Sequence, residues 1–185
     1  MHMATRVKRW TIEELHSLPE DGNRYELIHG ELFVSPPLGE THETIAARLS
    51  RRLDPYVEAH GLGLVYHPHA VVRFEESQAE PDLFVRQTRT GRPKHAKVDA
   101  DWLDSPTPIL VVEILSPWSR RRDNEHKREF YLEAGVAEYW IVDPSSRSVR
   151  VVRPGREDVV ATSTLEWSPA QTAKPLMLDV DEIFD

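Results

Sequence analysis

A single charged side chain interrupts the apolar run from Ile109 to Leu115, and that side chain belongs to Glu113. A run that is apolar at its other positions is typical of a strand covered on both faces of its sheet. Because removing a lone charge from water is very costly, a carboxylate there must pair with a cation, bind a metal or take up a proton. The sequence leaves two of these open with equal weight, a metal ligand and a buried salt bridge to an arginine.

A second lone carboxylate begins another short apolar run, since Asp82 follows Pro81 and precedes Leu83-Phe84-Val85. Pro-Asp is also an ordinary turn dipeptide, and taken alone it favours a turn residue over a ligand. Two lone carboxylates in strand-like segments nevertheless lead us to expect neighbouring strands, on which Asp82 and Glu113 share a divalent metal, Mg²⁺ or Mn²⁺. The chain has no cysteine, so oxygen or imidazole ligands must hold any metal.

A helical pattern over residues 122–134 follows the Glu113 strand. Its three- and four-residue spacing puts Lys127 on the same side as Phe130, which should face the sheet, so the ammonium could reach the Glu113 strand. The alternative is an exposed Asp123–Lys127 pair. Two carboxylates and a lysine are the minimum for metal-assisted phosphodiester hydrolysis, because the metal activates water and the ammonium stabilises charge that develops on phosphorus.

Two further polar residues are weighed as site residues. Glu26 interrupts the apolar strand pattern from Tyr25 to Ile28, and it either faces water from a half-buried strand or contributes to the site. His42 begins the apolar stripe of a long helix, where a histidine is more often a packed or capping residue than a ligand.

The remaining pattern predicts a single domain over residues 1–185, with a core at about 10–184. A helix is expected from Trp10 to Leu18, because Thr11 and Glu14 form a capping box. Other predicted elements are a hairpin over Arg24–Val34 with its turn at His29-Gly30, a helix over Glu40–His60 that Pro55 kinks or divides, and strands in 70–74, 138–142, 147–152 and 159–165. This order indicates an α/β or α+β fold with a mixed sheet.

The net charge of −8 counts against non-specific nucleic-acid binding, which depends on neutralising phosphates. Two local basic clusters flank the predicted site, although solvated loops are the commoner reading of such runs. They are Arg120-Arg121-Arg122 and the set Arg86, Arg89, Arg92, Lys94 and Lys97. No apolar run approaches the roughly 20 residues of a membrane span and no signal-peptide pattern is present, so a cytoplasmic location is expected.

Several segments together resemble the PD-(D/E)XK phosphodiesterases, and more closely the Uma-type family of restriction-endonuclease-like proteins. The segments that carry the resemblance are Pro81-Asp82, Val111 to Pro117, Lys127, Arg24 to Leu32, Ser35-Pro36-Pro37 followed by His42, and Gly135 to Pro144. They extend over most of the chain, from about Trp10 to Phe184. As a set they are specific for the family and much less specific for an activity.

The resemblance implies a restriction-endonuclease-like fold, with a central four-stranded mixed sheet flanked by helices, extra N- and C-terminal hairpins, and a homodimer. It implies a Mg²⁺- or Mn²⁺-dependent endonuclease that cleaves nucleic acid, DNA rather than RNA. Asp82 and Glu113 would be metal ligands, joined by the Ile114 carbonyl.

The resemblance would also make Lys127 and Glu26 catalytic, together with the two ligand carboxylates, and Tyr131 would line the site. The family pattern has a lysine two residues after the acid, where this chain has Leu115, so the resemblance implies that Lys127 takes that role. The displaced lysine and the acidic net charge favour an alternative, a catalytically silent nuclease-like domain that acts in protein or nucleic-acid interaction.

Overall fold

The computed structural model describes residues 8–87, 105–170, 172 and 174–185. The helices are α1 Ile12–His16, α2 Glu40–Ala59, α3 Lys127–Glu133 and α4 Asp181–Phe184, and a π-helical turn, Arg122–His126, leads directly into α3. The strands are β1 Arg24–Ile28, β2 Glu31–Ser35, β3 Leu64–Tyr66, β4 Val72–Phe74, β5 Ser77–Ala79, β6 Leu83–Arg86, β7 Leu110–Ile114, β8 Tyr139–Asp143, β9 Ser148–Val152, β10 Val159–Ala161, β11 Thr164–Trp167 and β12 Leu176–Asp179.

The central sheet is mixed, as predicted. Its strand order is β10-β9-β8-β7-β6-β3, in which β7 and β8 run parallel and the other neighbours run antiparallel. It has six strands rather than the four that the resemblance implies, because the short strands β3 and β10 extend its two edges. A second sheet, ordered β2-β1-β5-β4, is formed by residues nearer the N-terminus, and β11 and β12 make the C-terminal hairpin.

Both faces of the central sheet are covered, which explains why β7 is almost continuously apolar. Val112 and Ile114 lie on one face and pack in a core with Leu49 and Leu53 of α2. The opposite face carries Val111. It packs against α3 and against the second sheet, from which Ile28, Val72 and Ala79 enter the same core. Any polar group on this second face is therefore enclosed between the two sheets and α3.

Local predictions for the N-terminal half are mostly confirmed. The capping box forms at α1, since the Glu14 N–H donates to Thr11 Oγ1 and the Thr11 N–H donates to the Glu14 carboxylate. The β1–β2 hairpin has the expected turn, with a φ of +82° at Gly30, a conformation that glycine adopts without strain. The expected division of the long helix is wrong, because α2 runs unbroken through Pro55 and its buried stripe packs on the central sheet.

In the described residues, no helix combines the length and the apolar character that crossing a membrane requires.

Candidate functional site

The two strands that carry the predicted ligand carboxylates are neighbours. In the antiparallel β6–β7 pair, Leu83 lies opposite Val112, and continuing that register by one residue puts Asp82 opposite Glu113. Side chains alternate along a strand, so Glu113 shares the face of Val111, which packs toward α3. Both carboxylates are buried. The structure thus brings these two residues together, while their role as ligands stays a prediction.

Both oxygens of the Asp82 carboxylate accept hydrogen bonds. Arg24 Nη1 donates to Oδ1 at 2.8 Å, and Oδ2 accepts from the Ile114 N–H at 2.7 Å and lies 3.0 Å from His42 Nε2. Burial by itself would raise the pKa of Asp82, but the His42 hydrogen bond and the Arg24 charge outweigh it and hold that pKa well below its usual range. Asp82 is therefore an ionised carboxylate at neutral pH.

The Glu113 carboxylate is satisfied at only one of its oxygens. Oε1 accepts from Lys127 Nζ at 2.7 Å and from the Tyr131 hydroxyl at 2.6 Å. Oε2 is buried and has no hydrogen-bond partner among the described residues. Burial raises the pKa of Glu113 to about 8, since the loss of water, with repulsion from carboxylates such as Asp82, outweighs the attraction of Lys127.

Lys127 lies fully buried between two carboxylates, 2.7 Å from Glu113 Oε1 and 2.7 Å from Glu26 Oε1. The alternative of an exposed Asp123–Lys127 pair is wrong, because Asp123 is buried too and its Oδ1 is 3.9 Å from Nζ. Leu115, at the position where the family pattern has its lysine, packs in the core beside α3.

Glu26 does not face water, as one reading of its strand allowed. It is fully buried on β1, and its Oε1 also accepts from the Glu80 N–H at 2.8 Å. Its Oε2 lies 3.2 Å from Arg122 Nη1. Although burial alone would raise the pKa of Glu26, the charges of Lys127, Arg24 and Arg122 outweigh burial and lower it.

The buried charges of this cluster do not balance. Its carboxylates are Glu26, Asp82, Glu113 and Asp123, and its permanent cations are Arg24, Arg122 and Lys127. In the described part of the chain one carboxylate is therefore in excess of these permanent cations, and His42, 3.0 Å from Asp82 Oδ2, balances it only when its imidazole is protonated. Because an unpaired buried charge is strongly unfavourable, the cluster must take up a proton or a further cation. Glu113, whose Oε2 lacks a hydrogen-bond partner in the described residues and whose pKa burial raises, is the carboxylate best suited to take up that proton or cation.

We expect this excess charge to make the stability of the metal-free protein depend on pH. The folded pKa of Glu113 is raised from 4.5 to about 8, so the folded state holds one more proton than the unfolded chain within that range. The free energy of unfolding contributed by this group should then fall as pH rises from 4.5 to about 8. Urea unfolding at a series of pH values in EDTA measures the slope, and Glu113→Gln should flatten it. An unchanged slope in Glu113→Gln would contradict the assignment.

Sequence reasoning missed Arg24 and Arg122 as members of the cluster. Arg24 had a usable signal, because it is two residues before Glu26 on β1 and alternation puts both on one face. Arg122 was read as part of an exposed basic run. That reading is wrong, since Arg122 is buried against Glu26 and Asp123.

The other arginines of that run are paired at the surface. Arg120 makes two hydrogen bonds to Asp143, and Arg121 pairs with Glu125. The second basic cluster lies mostly outside the described residues, since Arg89, Arg92, Lys94 and Lys97 belong to the segment between 87 and 105. Its described member, Arg86, is buried, with its guanidinium 4.8 Å from the centre of the Tyr66 ring.

A cleft of about 250 Å³ gives access to the cluster at the end of β7. Arg24, His42 and Arg122 line it, and these are the residues that contact Asp82 and Glu26. The cleft is therefore cationic at its inner side and has the buried carboxylates behind that layer. Such an arrangement suits an anionic ligand at the entrance and a cation further in.

The donor set fits a hard divalent cation by its chemistry. Carboxylate oxygens and a backbone carbonyl are the ligands that Mg²⁺ accepts, and Glu113 Oε2 is a buried acceptor that lacks a donor in the described residues. Asp82 is less available than Glu113 as a metal ligand, because its Oδ1 already accepts from Arg24 and a cation would have to compete with that guanidinium. The described residues also contain no group of three or more His, Asp or Glu side chains arranged to hold a metal ion. This agrees with the pairing of Asp82 with Arg24 in the metal-free protein.

Comparison with known proteins agrees with this architecture. No curated protein matches the sequence significantly. A solved structure described as a "putative nuclease belonging to DUF820" from Anabaena variabilis matches with a TM-score of 0.77 and 22% sequence identity, over 95% of this chain and 97% of that one. At this identity the likeness is one of fold. Residues 12–181 match the model of the Uma2 family, described as "Putative restriction endonuclease", and the chain belongs to that family.

Proposed function

We propose that the chain is a metal-dependent nuclease that hydrolyses phosphodiester bonds in nucleic acid, DNA rather than RNA. The observation that carries the proposal is a buried cluster behind a cationic cleft, in which the carboxylates outnumber the arginines and lysine by one and Glu113 Oε2 has no hydrogen-bond partner among the described residues. Membership of a family named for restriction endonucleases supports the reaction class. The description of the structural relative as a nuclease supports it as well.

Asp82, Glu113 and the Ile114 carbonyl would hold Mg²⁺ or Mn²⁺, which when bound neutralises charge on the phosphate and lowers the pKa of bound water. Asp82 suits this task because it is ionised at neutral pH. Glu113 suits it because the cluster gains by exchanging the Glu113 proton for a cation. Glu26 contributes by holding Lys127 in place from the side opposite Glu113.

Lys127 acts through its charge in this proposal. Burial alone would lower the pKa of Lys127, but the charges of Glu113, Glu26 and Asp123 outweigh it and raise that pKa. An ammonium that stays protonated cannot serve as a base, and it stabilises negative charge that develops on the phosphoryl oxygens. Arg24 and Arg122 line the cleft and are suited to the non-bridging oxygens, since guanidinium groups bind phosphate with paired N–H donors.

The test is a calorimetric titration of the full chain with Mn²⁺, combined with a cleavage assay on single- and double-stranded DNA and on RNA. We expect Mn²⁺ to bind, and we expect Asp82→Ala to remove both binding and cleavage. Asp181→Ala, an exposed acid paired with Arg147, is the matched control and should leave both unchanged. A wild-type protein that binds no Mn²⁺, and that cleaves no nucleic acid with any of several metals, would overturn the proposal.

A second candidate function is a nuclease-like domain without catalysis that binds nucleic acid or protein. The observation in its favour is that Asp82 is already engaged at both oxygens, by Arg24 on one side and by His42 and the Ile114 N–H on the other. Tight Mn²⁺ binding that is lost in Asp82→Ala argues against this candidate, and metal-dependent cleavage excludes it.

A further inference from the structure

Trp118 is left 85% exposed beside the candidate site, and it lines the same cleft as Arg24, His42 and Arg122. We propose that this cleft binds an unpaired nucleotide, with its base stacked on the Trp118 indole and its phosphate on the two arginines. The inference rests on the proposed function, and it specifies the substrate of that site as single-stranded or locally unpaired nucleic acid.

The exposure of Trp118 is unusual within this molecule. The other large apolar side chains exposed in the described residues are aliphatic, and each is about half exposed: Val34, Leu64, Val159, Val160 and Met177. Trp118 is the aromatic member of this set and by far the most exposed. Stacking on another aromatic ring removes the exposed indole face from water and is therefore favourable. Every nucleobase offers a flat face for such stacking.

The loop that carries Trp118 is held in place by hydrogen bonds on both sides of this residue. The Ser116 N–H donates to Ser119 Oγ at 3.0 Å, and the Ser119 N–H donates to Ser116 Oγ at 3.2 Å. The Asp123 N–H donates to the Ser119 carbonyl at 2.9 Å, which joins this loop to the π-helical turn. A loop fixed in this way lowers the backbone part of the conformational entropy lost when the indole stacks on a base.

Other lining residues of the cleft suit the face of a base. They are apolar and small side chains from the β2 end and the segment that precedes α2, among them Phe33, Pro36, Pro37 and Leu38. The volume of about 250 Å³ lies just below the range of small-molecule sites, so the cleft holds at most one nucleotide and has no room for a base-paired step. A base in a duplex would first have to leave its stack to enter.

The inner end of the cleft suits the phosphate of the same nucleotide. Arg24 uses Nη1 for the Asp82 carboxylate and the Glu80 carbonyl, and Arg122 uses Nε and Nη1 for its own partners. A guanidinium carries five N–H donors, so both side chains keep donors for phosphate oxygens. The indole and the arginines therefore offer one nucleotide a base contact and a phosphate contact in a single cleft.

The test measures binding without cleavage. Fluorescence anisotropy in EDTA reports the affinity of the full chain for a labelled oligothymidylate of about 12 nucleotides, within the range that single-strand-binding proteins cover. We expect Trp118→Ala to weaken binding at least about fivefold, which is the lower limit for loss of one stacked base. Trp118→Phe should retain most of the affinity. Met177→Ala removes another exposed apolar side chain and should change nothing.

A second probe separates stacking from phosphate contacts. An abasic oligonucleotide of the same length keeps the phosphates and lacks the bases. The wild type should bind it about as weakly as Trp118→Ala binds oligothymidylate, and Trp118→Ala should bind it no worse than the wild type. A duplex of the same length should bind more weakly than the single strand. Equal affinity of the wild type and Trp118→Ala for oligothymidylate would overturn the inference.

Two outcomes separate this inference from the proposed function. If Trp118-dependent binding is observed and no metal supports cleavage, the cleft assignment stands and the proposed nuclease activity fails. If the wild type cleaves nucleic acid and Trp118→Ala binds oligothymidylate with the affinity of the wild type, the proposed nuclease activity stands and the cleft assignment fails. A shift of Trp118→Ala from dimer to monomer in sedimentation, at unchanged affinity, would mean that the indole contacts a second copy of the chain, and this too would overturn the inference.

Discussion

Replacing Lys127 by methionine should lower the free energy of unfolding by about 3–5 kcal/mol, the cost typical of removing one partner from a buried ion pair. Methionine has a similar length and volume, so the loss reflects charge and not packing. The change leaves Glu26 and Glu113 facing each other across the position of the lost ammonium, 2.7 Å from each in the native protein. Urea unfolding at neutral pH without metal measures the effect.

The matched control for Lys127→Met is Arg121→Met, which removes a cation from the same helical segment. Arg121 and Glu125 are 82% and 60% exposed, so this change should cost less than about 1 kcal/mol. A double variant, Lys127→Met with Glu26→Gln, should recover part of the lost stability, because it removes the carboxylate charge that the loss of the ammonium leaves unpaired on Glu26. A single variant Lys127→Met within 1 kcal/mol of the wild type would show that the ammonium is not needed by the cluster.

Glu113→Gln should separate catalysis from stability. The pKa of Glu113, at about 8, leaves this carboxyl largely protonated in the metal-free protein at pH 7, so the neutral amide resembles the group that it replaces. We expect the free energy of unfolding to change by less than about 1 kcal/mol, comparable to one hydrogen bond. Cleavage with Mg²⁺ or Mn²⁺ should fall roughly 100- to 1000-fold, because a neutral amide cannot replace an anionic ligand.

Glu125→Gln is the control for the loss of a glutamate charge elsewhere on the chain. Glu125 pairs with Arg121 at the surface, and its replacement should leave cleavage and stability unchanged. Cleavage rates from single-turnover assays and unfolding curves from the same preparations give both quantities. If Glu113→Gln cleaves as well as the wild type, Glu113 has no part in catalysis. If it instead unfolds, its carboxylate is structural.

Part of the candidate site followed from local sequence. The apolar run around Glu113 predicted a strand buried on both faces, and β7 is such a strand. The helical spacing predicted an inward Lys127, and the ammonium lies at the Glu113 carboxylate. These inferences worked because each depends on a short periodic pattern, and periodicity determines which side of an element faces the core.

Other features depended on contacts between residues far apart in the chain. Glu26 and Lys127 are separated by about a hundred positions, and no local pattern indicates that they meet. The arginine run at 120–122 has two environments, because Arg120 and Arg121 pair with acids at the surface while Arg122 turns into the space between the two sheets. Pro55 was expected to kink or divide α2, and the packing of that helix against the central sheet outweighed the local preference for a break.

The sequence by itself determined that a carboxylate would be buried on β7 and that a lysine would face it, since both follow from the repeat of a strand and the repeat of a helix. Only the tertiary structure decided which cations neutralise the buried acids, that one carboxylate remains in excess, and that Trp118 stands open at the entrance. The physical reason is that charge balance and exposure belong to the assembled neighbourhood, to which β1, β6, β7 and α3 each contribute one part.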